Sequence, residues 1–210
     1  MLFTEFKKIP RLNREVIITE KIDGTNAQVV IVNFDELNSH FAGDYQHQQE
    51  YRKTFVEQYC LAKKNNLLMF AGSRTQWITP LKDNHGFAKY VKENSEELFK
   101  LGEGHHFGEF WGSGIQRGYG LPKGEKRFSL FNVNKWSDDA VRPKCCYCVP
   151  ILYQGNFDTL TIQIVLGELK QNGSHVTPFM NPEGIVIFHT ASNHMYKVTI
   201  ENDEKPKGQI

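Results

Sequence analysis

The sequence predicts an α+β fold, mainly antiparallel sheet with helices packed on it. Short runs of period-two apolar alternation recur between residues 15 and 200, and two longer segments carry apolar residues near helical spacing. With 40% hydrophobic residues in 210, the chain has enough apolar surface for an ample core without covalent staples.

In chain order, strands are predicted at 15–21 and 27–33, followed by a helix over 44–64, where Tyr45, Phe55, Tyr59 and Leu61 are interspersed with charged and amide residues. The basic run AKKNN at 62–66 reads as the end of that helix, because lysines in a last turn complement the helix dipole. A strand over 67–72 comes next, then a helix over 87–100 whose apolar positions are Tyr90, Val91, Leu98 and Phe99, then a strand over 105–111. The Gly-rich piece GSGIQRGYGLPKGEKR, 112–127, reads as a long loop, and such loops inside compact domains are often functional. Further strands are predicted at 127–134, 159–166, 184–189 and 195–200, with a short polar extension ENDEKPKGQI at the end. No internal repeat, low-complexity segment or linker interrupts this order, so one domain over 1–210 is expected.

Lys plus Arg number 25 against 24 Asp plus Glu, so total charge does not announce a nucleic-acid partner and any basic surface must be local. KGEKRF at 123–128, with Arg117 and Tyr119 nearby, combines cations and aromatics and is the candidate surface; its phosphate contacts would be indifferent to base sequence. No apolar run approaches the roughly 18 residues of a membrane span, and the first residues lack a signal peptide's apolar stretch and cleavage site. A cytoplasmic, intracellular protein with no membrane partner is expected. Three of four cysteines sit together as Cys145, Cys146 and Cys148, a spacing that does not match a zinc site and reads as reduced thiols in or beside a strand.

The most informative stretch is ITEKIDGTNAQVVI. Lys21 ends an apolar alternation and is followed at once by Asp23, Gly24 and Asn26. The glycine permits a tight turn, the aspartate supplies a carboxylate near the amine, and the asparagine offers donors that reach phosphate or sugar oxygens. A nucleophilic lysine must be neutral when it attacks, so its surroundings must disfavour the ammonium. EKIDGTN resembles motif I of the covalent nucleotidyltransferases, the polynucleotide ligases and mRNA capping enzymes, and looks most like the RNA ligase branch. Later segments resemble the remaining motifs in order. AGSRTQW carries Arg74, FGEFWG resembles motif III with Glu109, RFSLFNV resembles motif IIIa with Phe131, EGIVI resembles motif IV with Glu183, and MYKVTI resembles motif V with Lys197.

The resemblance implies a ligase adenylation-domain fold, ATP-grasp-like, and an ATP-dependent RNA ligase using Mg2+ or Mn2+. It implies Lys21 as nucleophile toward the α-phosphate of ATP, giving a lysine-linked AMP that passes to a 5′-phosphate and is displaced by a 3′-hydroxyl. It further implies Glu20 and Phe131 at the purine, and Asn26, Arg74 and Glu109 on the ribose and phosphate side. Asp23 and Glu183 would lie near metal, with Lys197 at the α-phosphate. RNA ends, nicked or single-stranded, are the implied partner, with DNA the alternative acceptor. Two departures stand out. Met195 occupies the place of the first of two lysines that motif V commonly carries, and only 13 residues follow Lys197, where family members that seal strands alone append an OB or helical domain. The expectation is a catalytic domain without that appendage, with a protein partner as one source of substrate grip. A small DNA ligase, a GTP-using capping-type guanylyltransferase and a binding module that has lost turnover are the rival readings.

Overall fold

Most of the alternating runs form strands. The structure, a computed structural model, describes residues 3–37 and 45–204. Its first elements are β1 (Glu15–Lys21), β2 (Thr25–Asn33), α1 (Tyr45–Tyr59), β3 (Ala62–Lys64), β4 (Leu67–Ser73), β5 (Trp77–Ile78), α2 (Phe87–Glu93) and α3 (Ser95–Leu98). Then come β6 (Gly104–Gly112), β7 (Lys126–Leu130), α4 (Val133–Trp136), β8 (Cys146–Cys148), β9 (Ile151–Asn156), α5 (Thr159–Asn172), β10 (Gly184–His189) and β11 (His194–Thr199). The predicted α+β class holds, and every named strand pair is antiparallel except β7 with β8.

The chain divides into two compact units, Met1–Ile22 with Val149–Ile210 and Asp23–Cys148. The first contains a four-stranded sheet of order β11-β10-β1-β9. One face of it packs on α5: Val16 and Ile18 of β1 and Ile185 and Ile187 of β10 bury against Val165 and Leu169. The second unit contains the larger sheet, β3-β4-β2-β6-β7-β8, with β5 beside β4. Its inner face, with Val29, Ile31 and Phe110, packs on Phe87, Val91 and Leu98 from α2 and α3. On the other face, Val30, Leu68 and Phe70 bury against Val56 of α1, with Phe55 and Trp77 alongside.

Several predicted boundaries are corrected. The strand predicted over 159–166 is helix α5, which runs on to Asn172. Alternating Leu160, Ile162, Ile164 and Leu166 mimic a strand, but Ile162, Val165, Leu166 and Leu169 form the stripe that buries, at three- and four-residue steps. Asp158 caps the helix, its carboxylate accepting from the backbone N–H of Leu160 and Thr161. The strand predicted over 127–134 stops at Leu130, because the Asn132 side chain accepts from Lys135 N–H and starts α4. The helix predicted over 44–64 ends at Tyr59; position 44 and the Tyr45 side chain lie outside the described residues. Lys63 and Lys64 lie on β3, in a hairpin turned by Asn65 at φ 51°, so the basic run does not end a helix. The helix predicted over 87–100 breaks at Asn94 into α2, α3 and a 3-10 turn, Phe99–Leu101. Strands β5 and β9 were not anticipated, and 205–210 of the expected polar tail lie outside the described residues. The four cysteines are free thiols; Cys148 donates its S–H to the Leu130 carbonyl at 3.5 Å, in the parallel β7–β8 pair. Among the described residues no helix is long and apolar enough to cross a membrane.

The β6–β7 contact is tight where the site begins. A Cβ on Gly108 would stand 2.4 Å from the Ser129 carbonyl oxygen and 2.6 Å from the buried Phe128 ring. Both neighbours are fixed by the sheet, so overpacking cannot relax into solvent. Gly108→Ala is expected to lose roughly 1–3 kcal/mol of stability. Urea unfolding checks this, and an unchanged midpoint would contradict the packing argument.

Candidate functional site

The site residues of the first unit lie on β1, β10 and β11. Strand alternation turns Val16, Ile18 and Glu20 toward α5 and leaves Ile17, Thr19 and Lys21 on the opposite face. Lys21, the last residue of β1, lies opposite Gly184 in the antiparallel register. That register brings the residue before Gly184 to the lysine, and Lys21 Nζ donates to the Glu183 carboxylate in an ion pair. The pair is shielded, with side-chain exposures of 18% and 9%. Gly184 is required because a Cβ would stand 2.2 Å from the Val198 carbonyl oxygen of β11. Lys197 lies opposite Val186, itself opposite Thr19, so Lys197 shares the face of Lys21. Met195 is two residues away on that same face and is 68% exposed.

Glu20 is not brought to this face. Its side chain is 1% exposed, with one carboxylate oxygen accepting from Ser174 Oγ at 2.6 Å and the other from His175 N–H at 2.8 Å. Burial pushes its pKa above the ordinary glutamate value, and the two hydrogen bonds pull part of the way back. Both donors belong to the segment between α5 and β10, the segment that ends in Glu183.

In the second unit, the turn into β2 is clamped from two sides. Gly24 N–H donates to Glu109 Oε1 at 3.1 Å, and a Cβ on Gly24 would stand 2.5 Å from the Phe110 carbonyl oxygen and 2.8 Å from Trp111 Cβ. Asp23 N–H donates to the Tyr119 hydroxyl at 2.9 Å, and the Asp23 carboxylate accepts from Arg117 Nε at 3.2 Å. Tyr119 is fully buried in a 3-10 turn of the long loop, Gly118–Gly120, edge-on to Trp111. Arg117 and Tyr119, read from sequence as part of a nucleic-acid surface, therefore hold the turn after Lys21. Two cations at the end of that loop are also engaged: Lys126 Nζ donates to the His85 carbonyl at 2.5 Å and Arg127 pairs with Glu125 at 2.7 Å.

Asn26 and Glu109 are directly opposite one another on β2 and β6. Phe131 follows β7, and its N–H continues the ladder to the Phe107 carbonyl at 3.0 Å. Alternation puts Glu109 and Phe107 on one face, opposite the buried core face of Phe110. Half-buried Phe131 comes one residue after core-facing Leu130. Arg74 is exposed in the turn between β4 and β5, one residue after Ser73, which lies opposite Ala27. The unit thus gathers Asn26, Glu109 and Phe131 on neighbouring strands, with Arg74 at the same end of the sheet as Asn26.

The sequence profile of the RNA ligase family matches residues 14–199. The chain belongs to the RNA ligase family. Its fold is similar to that of Naegleria gruberi RNA ligase. A mutant of that ligase with AMP and Mn matches at a TM-score of 0.53 and 16% identity, over 90% of this chain and 50% of that one. Another, with ATP and Mn, gives 0.52 at 16% identity over 89% and 49%. A third, with AMP and Mn, gives 0.54 at 15% identity over 90% and 50%. The chain therefore spans about half the length of these ligases, and at such identities the likeness establishes the fold. No curated protein matches the sequence.

For a divalent cation, this RNA ligase family member offers single carboxylates. Among the described residues no group of three or more His, Cys, Asp or Glu is placed to hold a metal ion. Glu183 and Asp23 are hard oxygen donors, each beside a cationic side chain. One carboxylate with substrate phosphates and water is how magnesium and manganese are commonly held, so the donor chemistry fits a cation that arrives with a nucleotide.

Glu20 gives the site a testable pH signature. Its folded pKa is raised, so its contribution to stability is fully present below the unfolded carboxylate pKa and is lost as pH rises through the folded value. The stability of the native chain relative to Glu20→Gln is expected to fall with rising pH across that window. Urea titrations of both proteins over the acidic range check it, and parallel pH profiles would refute it.

Proposed function

We propose that the chain carries the adenylyltransferase chemistry of an ATP-dependent RNA ligase. One observation carries this reading: in a chain of the RNA ligase family, a lysine at a strand end is paired with a shielded glutamate across the register, with a second lysine on the same face. In the proposed reaction Lys21 gives its ammonium proton to solvent while its partner Glu183 holds Nζ in place. The amine then attacks the α-phosphorus of ATP; a P–N bond forms as the bond to the β-phosphate oxygen breaks, and pyrophosphate leaves. Lys197 faces the negative charge that builds on the α-phosphate. The AMP passes to a 5′-phosphate of RNA, freeing Lys21, and a 3′-hydroxyl displaces AMP to complete the phosphodiester.

A bound Mg2+ or Mn2+ would supply charge neutralisation at the phosphates, with Glu183, and Asp23 once released from Arg117, as protein oxygen donors. Glu109 and Asn26 are suited to ribose hydroxyls and phosphate oxygens, Arg74 to phosphate, and Phe131 to the purine face. Glu20 acts beneath them: its carboxylate ties down the segment leading to Glu183. RNA ends are the proposed acceptor, and DNA ends are the alternative tested below.

The test is to incubate the protein with α-labelled ATP and a divalent cation, without nucleic acid, and to look for label that survives denaturation. Label is expected with ATP, in excess over GTP, and not in Lys21→Ala or after chelation of the cation. Glu183→Gln is expected to slow labelling by about 10²-fold, the order for misplacing a reacting group. Absence of label with either nucleotide and either metal would overturn the reading. Transfer from the labelled protein to nicked RNA against nicked DNA then separates the acceptors.

Met195 generates a second expectation. Restoring a cation on the Lys197 face by Met195→Lys is expected to raise the labelling rate, since the exposed position accepts a longer polar side chain without repacking. An unchanged or lower rate would show that charge at this position does not limit the step.

A further inference from the structure

The segment preceding β1 is built unlike the rest of the molecule. From Phe3 to Leu12 its large apolar residues recur at every third position, and none is covered: Phe3 is 93% exposed, Phe6 83%, Ile9 75% and Leu12 65%. Cations fill the gaps. Residues 3–14 hold Lys7, Lys8, Arg11 and Arg14 against Glu5, a net charge of +3, whereas the whole chain carries +1, leaving −2 for all other residues. Pro10 and the lack of regular structure over residues 3–11 exclude an amphipathic helix.

The root of this arm is fixed. The Leu12 carbonyl accepts from His189 Nε2 at 2.7 Å, the Arg14 carbonyl accepts from Phe157 N–H at 2.8 Å, and Glu15 enters β1. The arm is thus continuous with the strand that ends in Lys21, and six residue steps separate Glu15 from Lys21. At about 3.3 Å per step the root stands roughly 20 Å from the nucleophile, beyond the reach of one nucleotide. Anything the arm holds must be an extended ligand if it also meets Lys21.

We propose that residues 3–14 form a grip for single-stranded RNA, with Phe3 and Phe6 stacking on bases and Lys7, Lys8 and Arg11 meeting backbone phosphates, while Arg14, which donates to the Asn13 carbonyl at 3.0 Å, adds charge at the root. Exposed aromatics between cations are what a sequence-indifferent single-strand site requires, because every base offers a π-face and every nucleotide a phosphate. The segregation of positive charge into the arm matches a polyanion. Of the other basic segments, 123–128 has Lys126 and Arg127 engaged within the protein, and 62–66 has Lys64 paired with Glu96 at 2.9 Å. The choice of RNA rests on the reading under Proposed function; the arm's chemistry does not.

The test measures binding of a 5′-phosphorylated oligouridylate by fluorescence anisotropy over a series of salt concentrations. The proteins are the native chain, Phe3→Ala/Phe6→Ala and Lys7→Ala/Lys8→Ala, each also assayed for lysine labelling without RNA. The aromatic pair is expected to weaken binding by at least about fivefold. The lysine pair is expected to lower the slope of log affinity against log salt by about 1.4, roughly 0.7 per phosphate contact. Labelling with ATP is expected to be unchanged in both. Unchanged affinity and slope, or no binding by the native chain, would overturn the grip. Loss of binding to anionic lipid vesicles in the variants, with RNA affinity intact, would overturn it in favour of a membrane contact. Loss of RNA affinity in the variants of a chain that never labels would uphold the grip and sink the adenylyltransferase reading, so the two fail separately.

Discussion

In the first unit, the arrangement around Lys21 depends on its ion pair with Glu183. Two opposite charges at side-chain exposures of 18% and 9% are held together by register, not by chance encounter of flexible surface chains. In a shielded pair, removing one partner strands the other in a medium that solvates it poorly. The strands are consequently fixed around it. Lys21 lies opposite Gly184, Gly184 lies opposite Thr199, and the glycine is needed because β11 passes too close for a side chain. Below the pair, Glu20 spends both carboxylate oxygens on Ser174 and His175 and so anchors the segment that delivers Glu183. Adjacent residues of one strand thus serve opposite faces: Lys21 pairs with Glu183, and Glu20 holds the segment that carries that glutamate.

The same economy of space governs the turn that follows in the second unit. Gly24 has no room for a Cβ, and its N–H is fixed by Glu109, the residue proposed to meet ribose hydroxyls. A carboxylate that already accepts from the backbone is restrained before ligand arrives, which lowers the ordering cost of binding. Asp23 is restrained by Arg117 and Tyr119, both from a loop almost a hundred residues later, at separations of 94 and 96. The Gly-rich loop is therefore a strut for the turn. Its glycines let buried Tyr119 occupy a left-handed backbone at φ 49° against Trp111.

What the sequence made legible follows from range. Strands β1 and β10 were read to the residue, because five successive buried positions or clean alternation between turn signals leaves little choice. The helix α5 was misread because its burying stripe needs Leu169, three residues past the point where alternation ended. Leu160 and Ile164, the residues that completed the false alternation, lie exposed at 60% and 50%. Motif order located Lys21, Glu183 and Lys197 but not the supports of the site. Nothing local distinguishes Ser174, His175 or Arg117, whose partners are 94 to 155 residues away. Only the tyrosine between two glycines at 118–120 left a trace, and it read as part of a long loop and a candidate nucleic-acid surface.

Met195 remains the point at which local rule and proposed chemistry pull apart. A methionine that is 68% exposed on an edge strand gives up apolar burial and gains no core contact, so packing does not account for it. The same face then offers Lys21, Lys197 and the Glu183 carboxylate, a net of one positive charge, to a nucleotide bearing several negative ones. In the proposed reaction Lys21 attacks as a neutral amine, which leaves Lys197 as the one cation of that trio. On the proposed reading the charge missing from that face is left to a divalent cation. A ligase built this way would depend more steeply on metal concentration than one with two lysines on that strand, because the missing fixed charge is replaced by one that must bind.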